Sequence, residues 1–252
     1  MGTCSTSPRA HAMGEGQRRA DTDTEFRLLR DGDITVKGRM PRSSNATFLV
    51  ELALDGATAL AVYKPEQGER PLWDFPPGLY RREIAAYLLS EALGWGLVPP
   101  TAPRDGPLGE GSLQLFVPAD FRQHYFTLLE AGEHRETLQR ICLFDLVANN
   151  ADRKSGHCLL VPGDRIYAID NGLTFHAEPK LRTVIWDFGE EPIAPALRED
   201  LRRVLGDDLP PALAELLDPD EQGALKRRAR GLLRTGHYPV DKSGLRYPWP
   251  LI

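Results

Sequence analysis

The sequence predicts an α+β protein with two lobes, a small strand-rich lobe over residues 26–117 and a larger, mainly helical lobe over residues 118–252. Short β-prone runs are concentrated in the first of these ranges. Apolar residues at three- and four-residue spacing dominate the second, except in a polar stretch at residues 149–176. Residues 1–25 are rich in Ser, Thr, Gly and Arg and lack periodic apolar residues, which predicts a disordered tail.

Composition restricts the class of protein. The chain has 252 residues, of which 41% are hydrophobic and 27% are charged, and this balance is ordinary for a soluble globular protein. A net charge of −5 disfavours a binder of nucleic acid or of anionic membranes. No apolar run approaches the roughly 18 residues of a membrane span, and three scattered cysteines fit a reducing compartment. We therefore expect a cytoplasmic protein without a membrane span or a nucleic-acid partner.

The small lobe is predicted to contain strands at residues 34–37, 48–52, 59–63 and 112–117. A helix is predicted at residues 79–93, because apolar residues recur at helical spacing and Gly94 follows. The loop between the first two strands is small and polar. Its residues Ser43, Ser44 and Asn45 offer N–H groups and hydroxyls that would cradle phosphates. The sequence has no G-x-x-x-x-G-K-[ST] motif, which disfavours a P-loop nucleotidase.

The larger lobe is predicted to contain helices at residues 121–131, 134–148, 194–205, 211–216 and 219–233, followed by an extended tail at residues 238–252. The second helix should end at Asn149-Asn150, since Asn competes for backbone hydrogen bonds and tolerates turn conformations. Two short strands follow at residues 157–161 and 165–169. Pro162-Gly163-Asp164 between them is typical of a hairpin.

The register of that hairpin predicts a site. If residues 161 and 165 flank the loop, His157 lies opposite Ile169, so the loop with Asp152 and the turn with Asp170 emerge at the same end. Two carboxylates and an imidazole therefore converge, with Asn149 and Asn150 next to them. This combination indicates a functional site.

The same residues carry a family resemblance. Asp152-Arg153, followed eighteen residues later by Asp170-Asn171-Gly172, resembles the catalytic loop and metal-binding turn of the protein kinase-like fold. The branches most similar to it are the phosphatidylinositol 3-/4-kinases and the HipA-like kinases. Residues 26–252 as a whole resemble an actinobacterial family distantly related to phosphatidylinositol kinases, through the motifs SSNATF, VYKP, RREIAAYLLSEALGWGLVPPT and NNADRKSGH.

The resemblance implies a role for each charged residue. Lys64, at the end of a strand, would contact the α- and β-phosphates of ATP and be held by Glu83 on the following helix. Asp170 would be the first ligand of Mg²⁺ or Mn²⁺. Asp152 would orient the acceptor hydroxyl and take its proton. Arg153 would either neutralise a nearby phosphate or brace the loop.

His157 departs from the family pattern. It lies five residues after Asp152, where the related loops carry Asn as the second metal ligand. Imidazole suits softer metals better than Mg²⁺, so a ligand role for His157 favours Mn²⁺. In the other interpretation His157 packs in its strand, and Asn149, Asn150 or Asn171 completes the metal shell.

Two further segments follow from the resemblance. The strand at residues 112–117 would run into the hinge between the lobes, where Gln114, Phe116 and Val117 would contact the adenine. Trp186-Asp187-Phe188-Gly189 spells a kinase motif, but it lies thirty-five residues after Asp152. Asp187 is therefore interpreted as structural or as part of the acceptor side.

The resemblance implies an ATP- and divalent-metal-dependent phosphotransferase that acts on a hydroxyl of a protein or a small molecule. Three alternatives remain open at this point. The chain would be a pseudokinase that binds nucleotide and regulates a partner, a nucleotidyltransferase that transfers AMP, or a structural interaction protein that binds no nucleotide.

Overall fold

A computed structural model describes residues 15–41, 43–206 and 208–251, and it has the predicted α+β architecture in two lobes. The small lobe is built on an antiparallel sheet of five strands in the order β1-β2-β3-β5-β4. These strands are β1 (Asp33–Arg39), β2 (Phe48–Leu54), β3 (Ala57–Pro65), β4 (Thr101–Gly106) and β5 (Gly109–Leu115). Two helices, α1 (Glu15–Asp31) and α2 (Leu79–Ala92), belong to the same lobe.

The core of the small lobe follows from the alternation of its central strands. Val50 and Leu52 on β2 and Tyr63 on β3 are fully buried, because alternate side chains of a strand face the same side of the sheet. Leu28 and Leu29, in the last turns of α1, pack in the same hydrophobic cluster. Helix α1 therefore closes the open face of the sheet.

Two elements of the small lobe differ from the predictions. The predicted tail over residues 1–25 is wrong for residues 15–25, which form the first part of α1; residues 1–14 lie outside the described residues. The apolar residues of α1 are concentrated at its end, so its first turns carry no helical period. Strand β4 was not predicted, since it contains Pro103. Proline is tolerated there because β4 lies at the edge of the sheet.

The predicted helix at residues 79–93 is confirmed as α2, which ends just before Gly94, a residue with a left-handed φ of 73°. Ten of its fourteen residues are buried, so it packs on more than one side. Arg82 in its first turns donates hydrogen bonds to the carbonyl of Thr174 and to the Glu221 carboxylate. Helix α2 therefore links the small lobe to the large one.

The large lobe contains α3 (Tyr125–Ala131), α4 (Arg135–Ala148), α5 (Pro195–Leu205), α6 (Pro211–Ala214) and α7 (Pro219–Thr235), with a hairpin of β6 (Cys158–Val161) and β7 (Arg165–Ala168). Its core includes the fully buried rings of Tyr125, Phe144, Phe175 and Phe188. None of the described helices is long and apolar enough to cross a membrane.

Residues 238–251, predicted as an extended tail, contain neither helix nor strand, and they bend at residues 242–244. The tail is attached to the large lobe by its backbone. The carbonyl of Arg246 accepts a hydrogen bond from Thr183 N–H, and the carbonyl of Leu251 accepts one from Ser155 N–H. The end of the tail thus contacts the loop that follows Asp152.

Candidate active site

The loop after α4 begins where the sequence predicts. Asn149 ends the helix in a left-handed conformation with φ of 57°, which Asn tolerates better than most residues. Its side-chain amide donates to the carbonyls of His176 and Glu178, and its carbonyl oxygen accepts the N–H of Lys180. Asn149 therefore fixes the loop by tying the end of α4 to a segment thirty residues away.

The hairpin has the predicted register. Val161 is paired with Arg165 and Cys158 with Ala168, and Ile169 N–H donates to the carbonyl of His157 at 3.0 Å. The loop before β6 and the turn after β7 consequently emerge at the same end. Asp170 lies in that turn with a left-handed φ of 59°.

Lys64 lies between two carboxylates. Its Nζ donates to Oε1 of Glu83 and, at 2.9 Å, to Oδ1 of Asp170. The second oxygen of Glu83 accepts the N–H of Asn171 at 3.0 Å, so Glu83 contacts both the strand lysine and the acidic turn. Burial alone would lower the pKa of Lys64, but the carboxylates of Asp170 and Glu83 outweigh it and raise that pKa. The Lys64 ammonium in turn holds the pKa of Asp170 well below its usual range.

His157 faces the other oxygen of Asp170, with Nε2 at 3.6 Å from Oδ2. Burial lowers the pKa of His157 to about 4, although Asp170 acts in the opposite direction. The imidazole is therefore neutral at neutral pH. Its Nδ1 accepts the N–H of Lys154 at 3.3 Å, so Nε2 carries the ring proton and would have to release it to bind a metal. Within the described residues, no group of three or more His, Cys, Asp and Glu side chains is placed to hold a metal alone. Asp170 and His157 fit a cation that takes its remaining ligands from phosphate oxygens and water.

Asp152 lies beside a lysine that the sequence reasoning missed. Its carboxylate is 3.2 Å from Nζ of Lys154, and its own N–H donates to Oδ1 of Asn150 at 2.9 Å. Burial raises the pKa of Asp152, and Lys154 partly offsets that effect. The signal for Lys154 was its position two residues after the candidate catalytic carboxylate.

Arg153 does not reach the cavity, and its predicted contact with a phosphate is wrong. The side chain is fully buried and donates to both oxygens of Asp145, to the carbonyl of Ile169 and to Oδ1 of Asn171. These bonds connect α4, the end of the hairpin and the acidic turn. Arg153 therefore braces the loop, as the other interpretation had it.

Asn150 is also turned inward, so its predicted role as a metal ligand is wrong. Its side chain is fully buried, with the amide donating to Asp145 and the carbonyl oxygen accepting the N–H of Asp152. Asn149 and Asn171 are buried with hydrogen-bond partners of their own. His157 is therefore better placed than any of the three asparagines to complete a metal shell with Asp170.

A cavity of about 440 Å³ lies between the lobes. It is lined by eight residues that were predicted from the sequence, namely Ser43, Ser44, Asn45, Lys64, Glu83, Asp152, His157 and Asp170. The polar loop holds its shape because Ser43 donates to Thr47 and Asn45 accepts the N–H of Arg70. The structure thus brings the phosphate-loop, lysine, metal and catalytic-loop predictions together at one site.

None of the predicted hinge residues lines this cavity, and their contact with the adenine stays a prediction. The Gln114 side chain is buried and donates to Oγ1 of Thr101 at 2.9 Å. The N–H of Phe116 is bonded to the carbonyl of Leu60, so pairing with β3 continues past the end of β5. Val117 follows it outside the cavity as well.

Asp187 is structural, as one of the two interpretations held. Its Oδ2 accepts the hydroxyl of Tyr125 at 2.6 Å, and the neighbouring Phe188 is fully buried in the large-lobe core. The motif at residues 186–189 is therefore a packing element of the large lobe.

The two lobes with a cavity between them have the protein kinase-like fold, which solved structures share. The Golgi casein kinase crystallised with Mn/ADP bound has a TM-score of 0.57 and 15% identity, covering 93% of this chain and 81% of that one. The hydra Fam20 structure with sugar has a TM-score of 0.54 and 14% identity, covering 83% and 87%. At these identities the likeness shows the fold alone.

The relationship in sequence is more specific. The chain is 41% identical over 265 residues to Protein Rv2133c of Mycobacterium tuberculosis (strain ATCC 25618 / H37Rv), covering 90% of this chain and 95% of the relative. The chain therefore belongs to the family of Protein Rv2133c, which confirms the resemblance to an actinobacterial family with a kinase-like fold. No family model matches the chain.

Proposed function

We propose that the protein is an ATP- and divalent-metal-dependent phosphotransferase whose acceptor is a hydroxyl of a protein or a small molecule. One observation carries the proposal. Lys64 is held between Glu83 and Asp170 in a cavity that Asp152 also lines. A strand lysine fixed by a helix glutamate, opposite two acidic loops, is the arrangement that phosphoryl transfer in kinases requires.

Each charged group would do a part of the work. Lys64 would bind the phosphates and Glu83 would keep its ammonium in place, and the loop with Ser43, Ser44 and Asn45 would offer further hydrogen bonds to the phosphates. Asp170 and His157 would hold the divalent cation. When bound, that cation would neutralise the charge of the phosphate oxygens.

Asp152 would orient the acceptor. The acceptor hydroxyl would form a bond to the γ-phosphorus, the bond between that phosphorus and the β–γ bridging oxygen would break, and ADP would leave. The hydroxyl proton would pass to Asp152, whose pKa is raised by burial and which is therefore a better base than an exposed aspartate. Lys154, 3.2 Å from Asp152, would balance charge on the γ-phosphate side.

Two facts support the choice of cofactor. One fold neighbour was crystallised with Mn and ADP. The metal-facing pair contains an imidazole that is neutral at neutral pH, and imidazole favours Mn²⁺ over Mg²⁺. We accordingly expect higher activity with Mn²⁺. The His in place of the family's Asn also supports a second candidate, a pseudokinase that binds nucleotide without transferring phosphate.

The test combines nucleotide binding with transfer of label. Nucleotide at about 100 times its Kd should stabilise the protein by about 2.7 kcal/mol, or roughly 5–11 °C in Tm. Lys64→Met and Asp170→Ala should each reduce that shift. Asp152→Asn should keep the shift and lose transfer from γ-labelled ATP. Asp164→Asn, at the opposite exposed end of the same hairpin, is the matched control and should retain both.

The remaining outcomes separate the alternatives. A shift in Tm without transfer identifies a pseudokinase, and label transferred from the α-phosphate identifies a nucleotidyltransferase. No shift with millimolar ATP and Mn²⁺ leaves the structural interaction protein, and the proposal then fails.

A further inference from the structure

The loop at residues 69–78, which we call the strap, connects the end of β3 to the start of α2. Its two ends are fastened together by one side chain. The carboxylate of Glu69 accepts the N–H of Gly78 at 2.9 Å and the N–H of Tyr80 at 2.8 Å. Because both ends are fixed to the small lobe, the middle of the strap is held in one place in front of the cavity.

The middle of the strap contacts the large lobe. Phe75 is buried in a small hydrophobic cluster with Leu79, Ala151 and Leu173. Ala151 immediately precedes Asp152, and Leu173 follows the turn that carries Asp170. The strap therefore crosses from one lobe to the other and packs on both loops that carry the candidate catalytic carboxylates.

Trp73, two residues before this anchor, is 94% exposed. It lies on the wall of a second groove of about 420 Å³, together with Phe75, Pro76 and His176. The preceding residue, Leu72, lines the nucleotide-sized cavity. One short segment thus borders both spaces, with Leu72 on the cavity and the adjacent Trp73 on the groove.

The charges of the groove are unbalanced toward negative. Lys180 is its one cation among the described lining residues, with Nζ at 3.8 Å from Asp74, 3.5 Å from Glu178 and 5.6 Å from the centre of the Trp73 ring. Two carboxylates therefore share one ammonium. The Glu178 side chain is 73% exposed, so its carboxylate is open to a further cation.

The cavity itself leaves little room for an acceptor. Its volume of about 440 Å³ lies in the lower half of the roughly 300–1,000 Å³ of pockets that hold one small ligand. A bound nucleotide would occupy much of this volume and leave room beside Asp152 for only a small part of the acceptor. The rest of the acceptor must lie along the rim, and an extended polypeptide, at about 3.3 Å per residue, reaches the groove within a few residues.

We propose that the strap and this groove bind a polypeptide acceptor, with a Lys or Arg side chain near the acceptor hydroxyl contacting the exposed face of the Trp73 ring and the exposed Glu178 carboxylate, while Lys180 stays paired with Asp74. An exposed indole face attracts a cation, and Glu178 supplies the opposite charge. This inference rests on the proposed phosphotransferase function and adds to it the class of substrate and two specificity residues.

A library of Ser- and Thr-containing peptides, with each flanking position fixed in turn to one amino acid, tests the inference with γ-labelled ATP and Mn²⁺. The wild-type protein should prefer Arg or Lys at one flanking position. Trp73→Ala should reduce that preference about two- to fivefold, the loss expected for an exposed cation–π contact. Glu178→Lys should reverse it in favour of Asp or Glu.

Matched controls exist for both changes. Glu199 on α5 is 71% exposed, so Glu199→Lys makes the same charge change far from the strap and should leave the preference unchanged. Phe121→Ala removes another exposed aromatic side chain and should do the same. The nucleotide-induced shift in Tm should be equal in all four variants and the wild type.

The results distinguish the two proposals. Peptide labelling with a profile that neither Trp73→Ala nor Glu178→Lys alters would overturn the groove inference and leave the phosphotransferase standing. A nucleotide-induced shift without labelling of any peptide would rule out the polypeptide acceptor. Absence of the nucleotide-induced shift in Tm would overturn both the phosphotransferase proposal and the groove inference.

Discussion

Two charged clusters lie on either side of the turn that carries Asp170. They differ in whether their charged groups can still bind a ligand. The outer cluster is Lys64, Glu83 and Asp170, which line the cavity. The inner cluster is Asp145 and Arg153, whose side chains are fully buried. Asn171 joins the two, since its N–H donates to Glu83 and its Oδ1 accepts from Arg153.

The two clusters differ in saturation, that is, in whether their hydrogen-bonding groups already have partners within the protein. Arg153 donates to Asp145, Ile169 and Asn171, and Asp145 also accepts from Asn150, so the inner groups have their partners within the protein. In the outer cluster the Asp170 side chain is 53% exposed and keeps acceptor capacity toward the cavity. The inner cluster therefore fixes the shape of the loops, and the outer cluster is available to a ligand.

The largest expected effect is on the free energy of unfolding, and it should differ between variants that remove Arg153 and Lys64. Arg153→Leu should destabilise the protein by about 3–5 kcal/mol, because it leaves the Asp145 carboxylate buried without its counter-charge. Lys64→Met should cost less, about 2–3 kcal/mol: the buried Glu83 carboxylate loses its counter-charge but keeps the N–H of Asn171, and Asp170 is half-exposed. Urea denaturation of the two variants and the wild type measures both values.

Equal losses of stability would contradict this contrast. The outer cluster would then be a structural ion pair, and its position beside a cavity would have no functional meaning. The contrast also predicts that Lys64→Met remains folded enough for a nucleotide-binding measurement, which Arg153→Leu does not guarantee.

The second effect concerns His157, at the border of the outer cluster. Its pKa is lowered by burial from an ordinary 6.5 to about 4, so between these values the unfolded chain binds more protons than the folded one. The stability that the protein gains by keeping this imidazole neutral is fully present above pH 6.5 and is lost as the pH falls toward 4. The difference between the two pKa values corresponds to about 3 kcal/mol of stability.

The measurement is the free energy of unfolding in urea at several pH values with a metal chelator present. His157→Gln should lose less stability than the wild type between pH 6.5 and 4. Identical curves would mean that His157 is already exposed enough to be protonated in the folded state. In that case His157 would behave as a surface residue, and its proposed role beside Asp170 as a metal ligand would lose its support.

The outer cluster could be predicted from the sequence because each of its parts has a local signal. The Asn pair after α4 and the Pro-Gly-Asp turn fix the two ends of the hairpin, and period-2 pairing then determines which residues share an end. The strand lysine and the helix glutamate add a spacing that the kinase resemblance explains. These signals required no knowledge of packing.

The inner cluster had no such signal. An Arg directly after a catalytic-loop Asp would equally contact phosphate, and only the tertiary position of Asp145, eight residues earlier on a helix, turns Arg153 inward. The same holds for Gln114 and Phe116, whose bonding to Thr101 and Leu60 depends on strand β4 and on an extended pairing that propensity does not reveal. Burial of a polar side chain is decided by its neighbours in space.

Glu69 provides the smallest and most specific test of whether free acceptor capacity determines which carboxylates of the cavity bind a ligand. It lines the cavity, as Asp170 does, but both of its oxygens already accept N–H groups at the start of α2. Glu69→Gln keeps one acceptor oxygen and removes the charge, so the cost should be about 0.5–1 kcal/mol.

The same variant should leave the shift in Tm with ATP and Mn²⁺ unchanged, whereas Asp170→Ala, on the same cavity, should reduce it. Asp218→Asn, which changes a carboxylate that caps α7 far from the cavity, is the matched control for the loss of stability. If Glu69→Gln reduces the nucleotide shift as strongly as Asp170→Ala, then position on the cavity wall, and not free acceptor capacity, determines which carboxylates bind the ligand.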